Sequence, residues 1–215
     1  MTTTTVHPDI GAAVRLRDLG PGEEDVLDAV FAGLSATSRY RRFHYGTPAL
    51  TPAVRASLAA VDGERHLAVA AFVGDEPVGI ARLIATGGGR ADLAVEVVDA
   101  WQGRGVGGRL VHTVLVRGAE AGFTTVDADV LSTNGPMLGL LAGLLPDHTR
   151  RVSGPETRVS ASLEGLAVNN PFAGYERAAQ HRAELLAASR DRRLARLRRR
   201  PRPTRPVRTT GGDAA

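Results

Sequence analysis

Between residues 102 and 108 the chain reads Gln-Gly-Arg-Gly-Val-Gly-Gly. Upstream lies the apolar alternation ADLAVEVV at 91–98, a strand pattern. Downstream, Leu110, Val111, Val114, Leu115 and Gly118 recur at helical spacing, so a helix is expected over 107–121 with Gly122 at its end. Glycines in such a connection permit positive φ and a close backbone approach, so several N–H groups can converge on one anion. A helix that starts immediately afterwards adds its positive end. The chemistry on offer is the gripping of a pyrophosphate by main chain alone. Such a cradle needs no Lys, in agreement with the composition, in which all 27 basic residues are Arg and no Lys occurs. A Walker phosphate loop and Schiff-base catalysis are excluded with it.

Two spacings fit the loop. Gly103, Gly105 and Gly108 satisfy G-x-G-x-x-G, with Asp127 or Asp129 about 20 residues on, where a dinucleotide fold places its ribose-binding acid. That fold opens a long parallel series, however, whereas here several strands precede the loop and little foldable chain follows it. Gln102, Gly105 and Gly107 satisfy Q-x-x-G-x-G. On this loop and its setting, VVDAWQGRGVGGRL, the chain resembles the GNAT acetyltransferases over roughly residues 13–163. The stretches LSATSRYRRF at 34–43 and STNGPML at 132–138 further resemble the acetyltransferase domains of bacterial protein-lysine acetyltransferases.

The resemblance implies an acyltransferase that holds acetyl-CoA by its pyrophosphate and passes the acetyl group to a primary amine, on a protein lysine or a small molecule, in a ternary complex without a metal. Gln102, Gly103, Arg104, Gly105, Val106, Gly107 and Gly108 would form the cofactor loop, Asn134 would bond the pantetheine arm, and Val97 and Val98 would offer main-chain N–H groups to the thioester. Asn134 serves equally well as a helix N-cap on sequence grounds. A lysine-type amine arrives protonated, its pKa being about 10.4, so a base is required. Asp92 and Glu96 are four apart on a strand and share one face; Asp92 stands ten before Gln102, where the resembling domains carry an acid, and Glu96 lies nearer the loop. Either could instead pair with an Arg such as Arg82. The mixed aromatic and basic run Tyr40–Tyr45 falls where the family places its acceptor loop. The Tyr with which many members protonate the departing thiolate is replaced here by Leu141, so a non-catalytic acyl-CoA-binding module is the alternative.

Positioning these groups requires an α/β layer, one mixed sheet flanked by helices. Strands are expected at 13–19, 66–73, 78–85, 91–98, 124–131, 149–153 and 157–163. Helices are expected from the acidic GEED after Pro21 through Leu34, from Thr51-Pro52 through Val61, over 107–121, and from Asn134 to about Leu145.

Cysteine is absent, which excludes disulfides, thiol nucleophiles and thiolate metal sites. Residues 1–12 read as a flexible start without the features of a secretory signal, and the protein is expected to be cytoplasmic and not to enter membranes. Residues 164–215 carry 12 Arg against 5 acids, whereas the chain before them carries 15 against 18. This tail suits an acidic partner, or is merely a solvated, partly disordered extension, since no aromatic is interleaved for base stacking.

Overall fold

A computed structural model describes residues 14–164. All of them fall within one compact unit, residues 1–179. The expected flexible start and the basic stretch from 165 onward lie outside the described residues.

Strand β1 (Val14–Asp18) opens a seven-stranded sheet completed by β2 (His66–Val73), β3 (Glu76–Gly87), β4 (Arg90–Val97), β5 (Thr125–Leu131), β6 (Thr149–Ser153) and β7 (Glu156–Ser162), in the order β1-β2-β3-β4-β5-β7-β6. Every neighbouring pair is antiparallel except β4 and β5. Those two run parallel for three residue pairs, Arg90 with Thr125, Ala91 with Val126 and Asp92 with Asp127. Past that point β4 continues to Val97 and β5 to Leu131 without pairing to each other, so the sheet forks at its centre. A dinucleotide fold, with its extended parallel series, is thereby set aside.

Strand alternation sorts the side chains onto two faces. On one, Leu83, Leu93, Val126 and Val159 pack with Leu110, Val114 and Leu115 of α4 (Val106–Glu120) and with Leu141 of α5 (Gly135–Leu144). On the other, Ala68, Ala70, Phe72 and Ile80 pack with Val26, Leu27 and Val30 of α1 (Glu24–Ala32). Helix α3 (Pro52–Ala59) starts as expected, with the Thr51 hydroxyl accepting from the Val54 N–H at 3.3 Å and Pro52 in the first turn. Helix α4 ends in a Schellman motif: Gly122 is left-handed, its N–H donates to the Ala119 carbonyl, and the Phe123 N–H donates to Gly118.

Two departures from the sequence reading have a local physical reason. Strand β3 begins at Glu76 rather than 78, because the hairpin turns on Gly74 and Asp75 alone; Pro77, which has no N–H to give, sits at a register shift opposite Phe72. Residues 36–43, for which the sequence predicts no helix, form helix α2 (Ala36–Phe43). None of its residues is buried, so its sequence shows no apolar stripe, and it is held by the Ser35 hydroxyl accepting from the Ser38 N–H.

Candidate functional site

The fork between β4 and β5 opens into a cavity of about 850 Å3. Its walls include β4 from Asp92 to Val97, the C-terminal half of α2, the glycine loop with the first turn of α4, and Asn134, Met137 and Leu140 around α5. The structure thus brings most of the residues singled out in the sequence to one place.

At the loop, Gly103 and Gly105 have φ of 68° and 80°. Gly105 is the N-cap of α4 and supplies no side-chain cap. The opening amides of this 15-residue helix are therefore left for solvent or an anion, beside its positive end. A Cβ at Gly103 or Gly105 would meet nothing within 4 Å, so the glycines serve backbone shape and access rather than internal packing. This donor set fits a diphosphate. Gly107 and Gly108 also line the cavity. The Val106 side chain is in the core, so only its main chain can take part. Gln102 braces the loop: its amide nitrogen donates to the Val97 carbonyl at 2.9 Å and to the Ser38 hydroxyl at 3.1 Å. Arg104 lies over the Trp101 ring, 5.1 Å from its centroid, and is not among the cavity-lining residues.

Main-chain directions along β4 follow from one bond. The Val98 N–H donates to the Val78 carbonyl at 2.9 Å. In an antiparallel ladder such bonds alternate, so even-numbered residues of β4 turn their N–H groups to β3 and odd-numbered ones turn away from it. The Val97 N–H is directed into the fork. The expectation for Val98 is corrected: its N–H is spent on the sheet and its side chain packs beside Gly33, where a Cβ would come within 2.7 Å of it.

Asp92 and Glu96 share a face, as their spacing required, but their surroundings differ. Burial in the cleft wall raises the Asp92 carboxyl above its ordinary range, and Asp129 and Asp127 add to this against the opposing Arg158 and Arg90. No ion pair engages Asp92 among the described residues. Asp127 is bonded by Arg90 and by the Ser160 hydroxyl, and Asp129 is held by Arg158 at 2.6 and 2.8 Å. Glu96 is buried, with one oxygen 2.9 Å from Arg82 Nη2 and the other 2.5 Å from Arg42 Nε. Burial pushes its carboxyl up, but the charges and hydrogen bonds of the two guanidiniums outweigh this and hold it below the usual range. A carboxylate with both oxygens so engaged is a poor proton acceptor, which counts against the expectation of Glu96 as a base.

Asn134 is the N-cap of α5, its Oδ1 accepting from the Met137 N–H at 3.3 Å, while the residue also faces the cavity. Leu141 is fully buried in the core, away from the cavity. Of the aromatic and basic run, Arg41, Arg42, Phe43 and His44 line the cavity, and Tyr40 and Tyr45 are exposed. His44 takes a left-handed conformation at the end of α2 and its Nδ1 lies 2.6 Å from Glu156 of β7, so α2 is tied across the site from the loop to the far strand. Sequence reasoning missed this helix. The Ser at 35, three before Ser38, was the available signal.

Residues 27–143, more than half of the chain, match the family described as Acetyltransferase (GNAT) family. Among solved structures, the GNAT domain of S. lividans PAT superposes with a TM-score of 0.64 at 24% identity, over 69% of this chain and 90% of that one. The cAMP-binding acyltransferase from Mycobacterium smegmatis gives 0.51 at 23% identity, over 77% of this chain and 49% of that one, so the similarity spans about half of that protein. The ribosomal-protein-S18-alanine N-acetyltransferase from Escherichia coli gives 0.52 at 14% identity, over 70% and 94%.

Proposed function

Because the chain belongs to the acetyltransferase (GNAT) family, we propose that it transfers an acetyl group from acetyl-CoA to a primary amine, on a protein lysine or a small molecule, by direct attack in a ternary complex. One observation carries this reading: an uncapped helix start behind left-handed Gly103 and Gly105 opens into the same cleft as Asp92. A site that grips a diphosphate and a carboxylate of raised pKa then face one reaction space.

In this mechanism the main chain from Gly103 to Gly108 receives the pyrophosphate, aided by the positive end of α4. The Asn134 amide and the apolar side chains of Met137 and Leu140 border the pantetheine arm. The Val97 N–H, turned into the fork, bonds the thioester oxygen as it gains negative charge. Asp92 takes a proton from the amine, directly or through water, and the neutral nitrogen attacks the carbonyl carbon. The N–C bond forms, the nitrogen releases its remaining extra proton to solvent, the C–S bond breaks, and the thiolate departs. A thiol pKa of about 8.5 lets it leave near neutral pH without a protein acid, which suits a site whose α5 contributes Leu141 to the core instead of an ionisable group. Glu96 positions Arg42 and does not carry protons.

The test is to incubate the full chain with acetyl-CoA and a panel of amines and to follow thiol release. Steady turnover with acetylated product is the expected result. The second reading, a non-catalytic acyl-CoA-binding module whose basic tail engages an acidic partner, is favoured by the buried Leu141 and would show as CoA binding without turnover.

A further inference from the structure

The cluster of Arg42, Glu96 and Arg82 does not balance. Two guanidiniums share one carboxylate, and both remain charged, since arginine does not deprotonate in proteins. Arg82 is fully enclosed and spends its Nη1 on the Leu58 carbonyl at 2.8 Å and its Nη2 on Glu96. Its charge uses up that of Glu96. Arg42 gives only its Nε to Glu96; its two terminal nitrogens make no hydrogen bond among the described residues, and the side chain lines the cavity.

The other basic side chains that line the cavity are placed differently: Arg41 is exposed to solvent and His44 lies against Glu156. A surplus positive charge, oriented by a buried carboxylate and lying over the Phe43 ring at 4.9 Å, is left at Arg42 on the cavity wall. A guanidinium with a free fork binds a carboxylate best, through two parallel bonds.

Resting on the transferase reading, we propose that the acceptor is a lysine-type amine on a molecule that also presents a carboxylate, and that Arg42 receives that carboxylate. Asp92 and Glu96 stand four residues apart on β4, about 13 Å at strand rise. That spacing suits an acceptor whose amine and carboxylate are separated by a chain rather than borne on one carbon.

The experiment compares two acceptors differing in one group, Nα-acetyl-lysine and Nα-acetyl-lysine amide, with acetyl-CoA and the full chain. The expected kcat/KM is about tenfold or more higher for the carboxylate form, as befits one charge-assisted pair. The ratio should fall toward one in Arg42→Gln and be partly restored in Arg42→Lys. A parallel pair, the acetylated amides of Lys-Asp and Lys-Asn, separates a chain-terminal from a side-chain source; discrimination in either pair supports the proposal, and equal rates in both overturn it. A ratio unchanged in Arg42→Gln also overturns it. A further arm sets succinyl-CoA against acetyl-CoA with the neutral acceptor. Discrimination there alone assigns the carboxylate to the acyl group and overturns the acceptor assignment. Absence of turnover with every acceptor would refute the transferase reading, and calorimetry of the same pairs on the CoA-loaded protein would still decide: tighter binding of the carboxylate form, lost in Arg42→Gln, supports the proposal, and equal affinities overturn it.

Discussion

Arg82 and Glu96, diagonal neighbours across β3 and β4, form an ion pair at 2.9 Å in which the side chains are 1% and 4% exposed. Neither can be discharged cheaply. Glu96→Gln should destabilise the fold by about 3 kcal/mol or more, because it leaves the Arg82 charge enclosed without its counterion. Chemical denaturation at neutral pH measures this. The folded-state carboxyl is held below its unfolded value, so its stabilisation is present above the ordinary Glu range and is lost as pH falls through the folded value. The gap between wild type and Glu96→Gln should accordingly narrow in acid.

Asp92 carries the opposite sign. Its carboxyl is raised in the fold, so ionisation there costs stability. Asp92→Asn should unfold at a slightly higher temperature than wild type at neutral pH, with the difference vanishing below the unfolded carboxylate range. Its kcat should fall by about 100-fold or more. In wild type the acid limb of kcat/KM should lie above the usual carboxylate range and be absent from the variant. A variant that keeps both rate and profile refutes Asp92 as the proton acceptor.

Gly105→Glu should abolish CoA binding by calorimetry, since it places a carboxylate at the diphosphate cradle. Gly105→Ala provides the control. Its Cβ meets open space, so the change costs about 1–2 kcal/mol for the left-handed backbone alone. Loss of affinity in the glutamate variant well beyond that of the alanine variant is the expected pattern, and unchanged affinity refutes the loop assignment.

Gly118→Ala tests the packing behind the loop. A Cβ there would lie 2.4 Å from Leu83 Cδ1, so α4 must lift from the sheet or Leu83 must leave its rotamer. The expected loss is about 1–3 kcal/mol, read by denaturant midpoint.

Much of this was legible in the residues. Thr51 before Pro52, and Gly122 after the stripe from Leu110 to Gly118, mark ends that the helices keep, because caps and turns are local chemistry. The loop at 102–108 was legible for the same reason. The pairing of Glu96 was legible only in part: Arg82, 14 residues away, was open as a partner, whereas Arg42 lies 54 residues away on α2 and nothing near Glu96 announces it. Helix α2 escaped because it buries nothing: without an apolar stripe its period has no carrier. The sequence also could not separate Val97 from Val98, adjacent residues of one type whose amides point in opposite directions once the ladder with β3 sets the alternation.

The parting of β4 from β5 after three residue pairs has a consequence for inheritance. An opening shaped by where two backbones diverge belongs to the chain's path, and its amides are present whichever side chains occupy those positions. Descendants can exchange most of their letters and keep the recess, then acquire new clients by altering the few groups that overlook it. The shared architecture with S. lividans PAT at 24% identity has the form such an economy would leave behind.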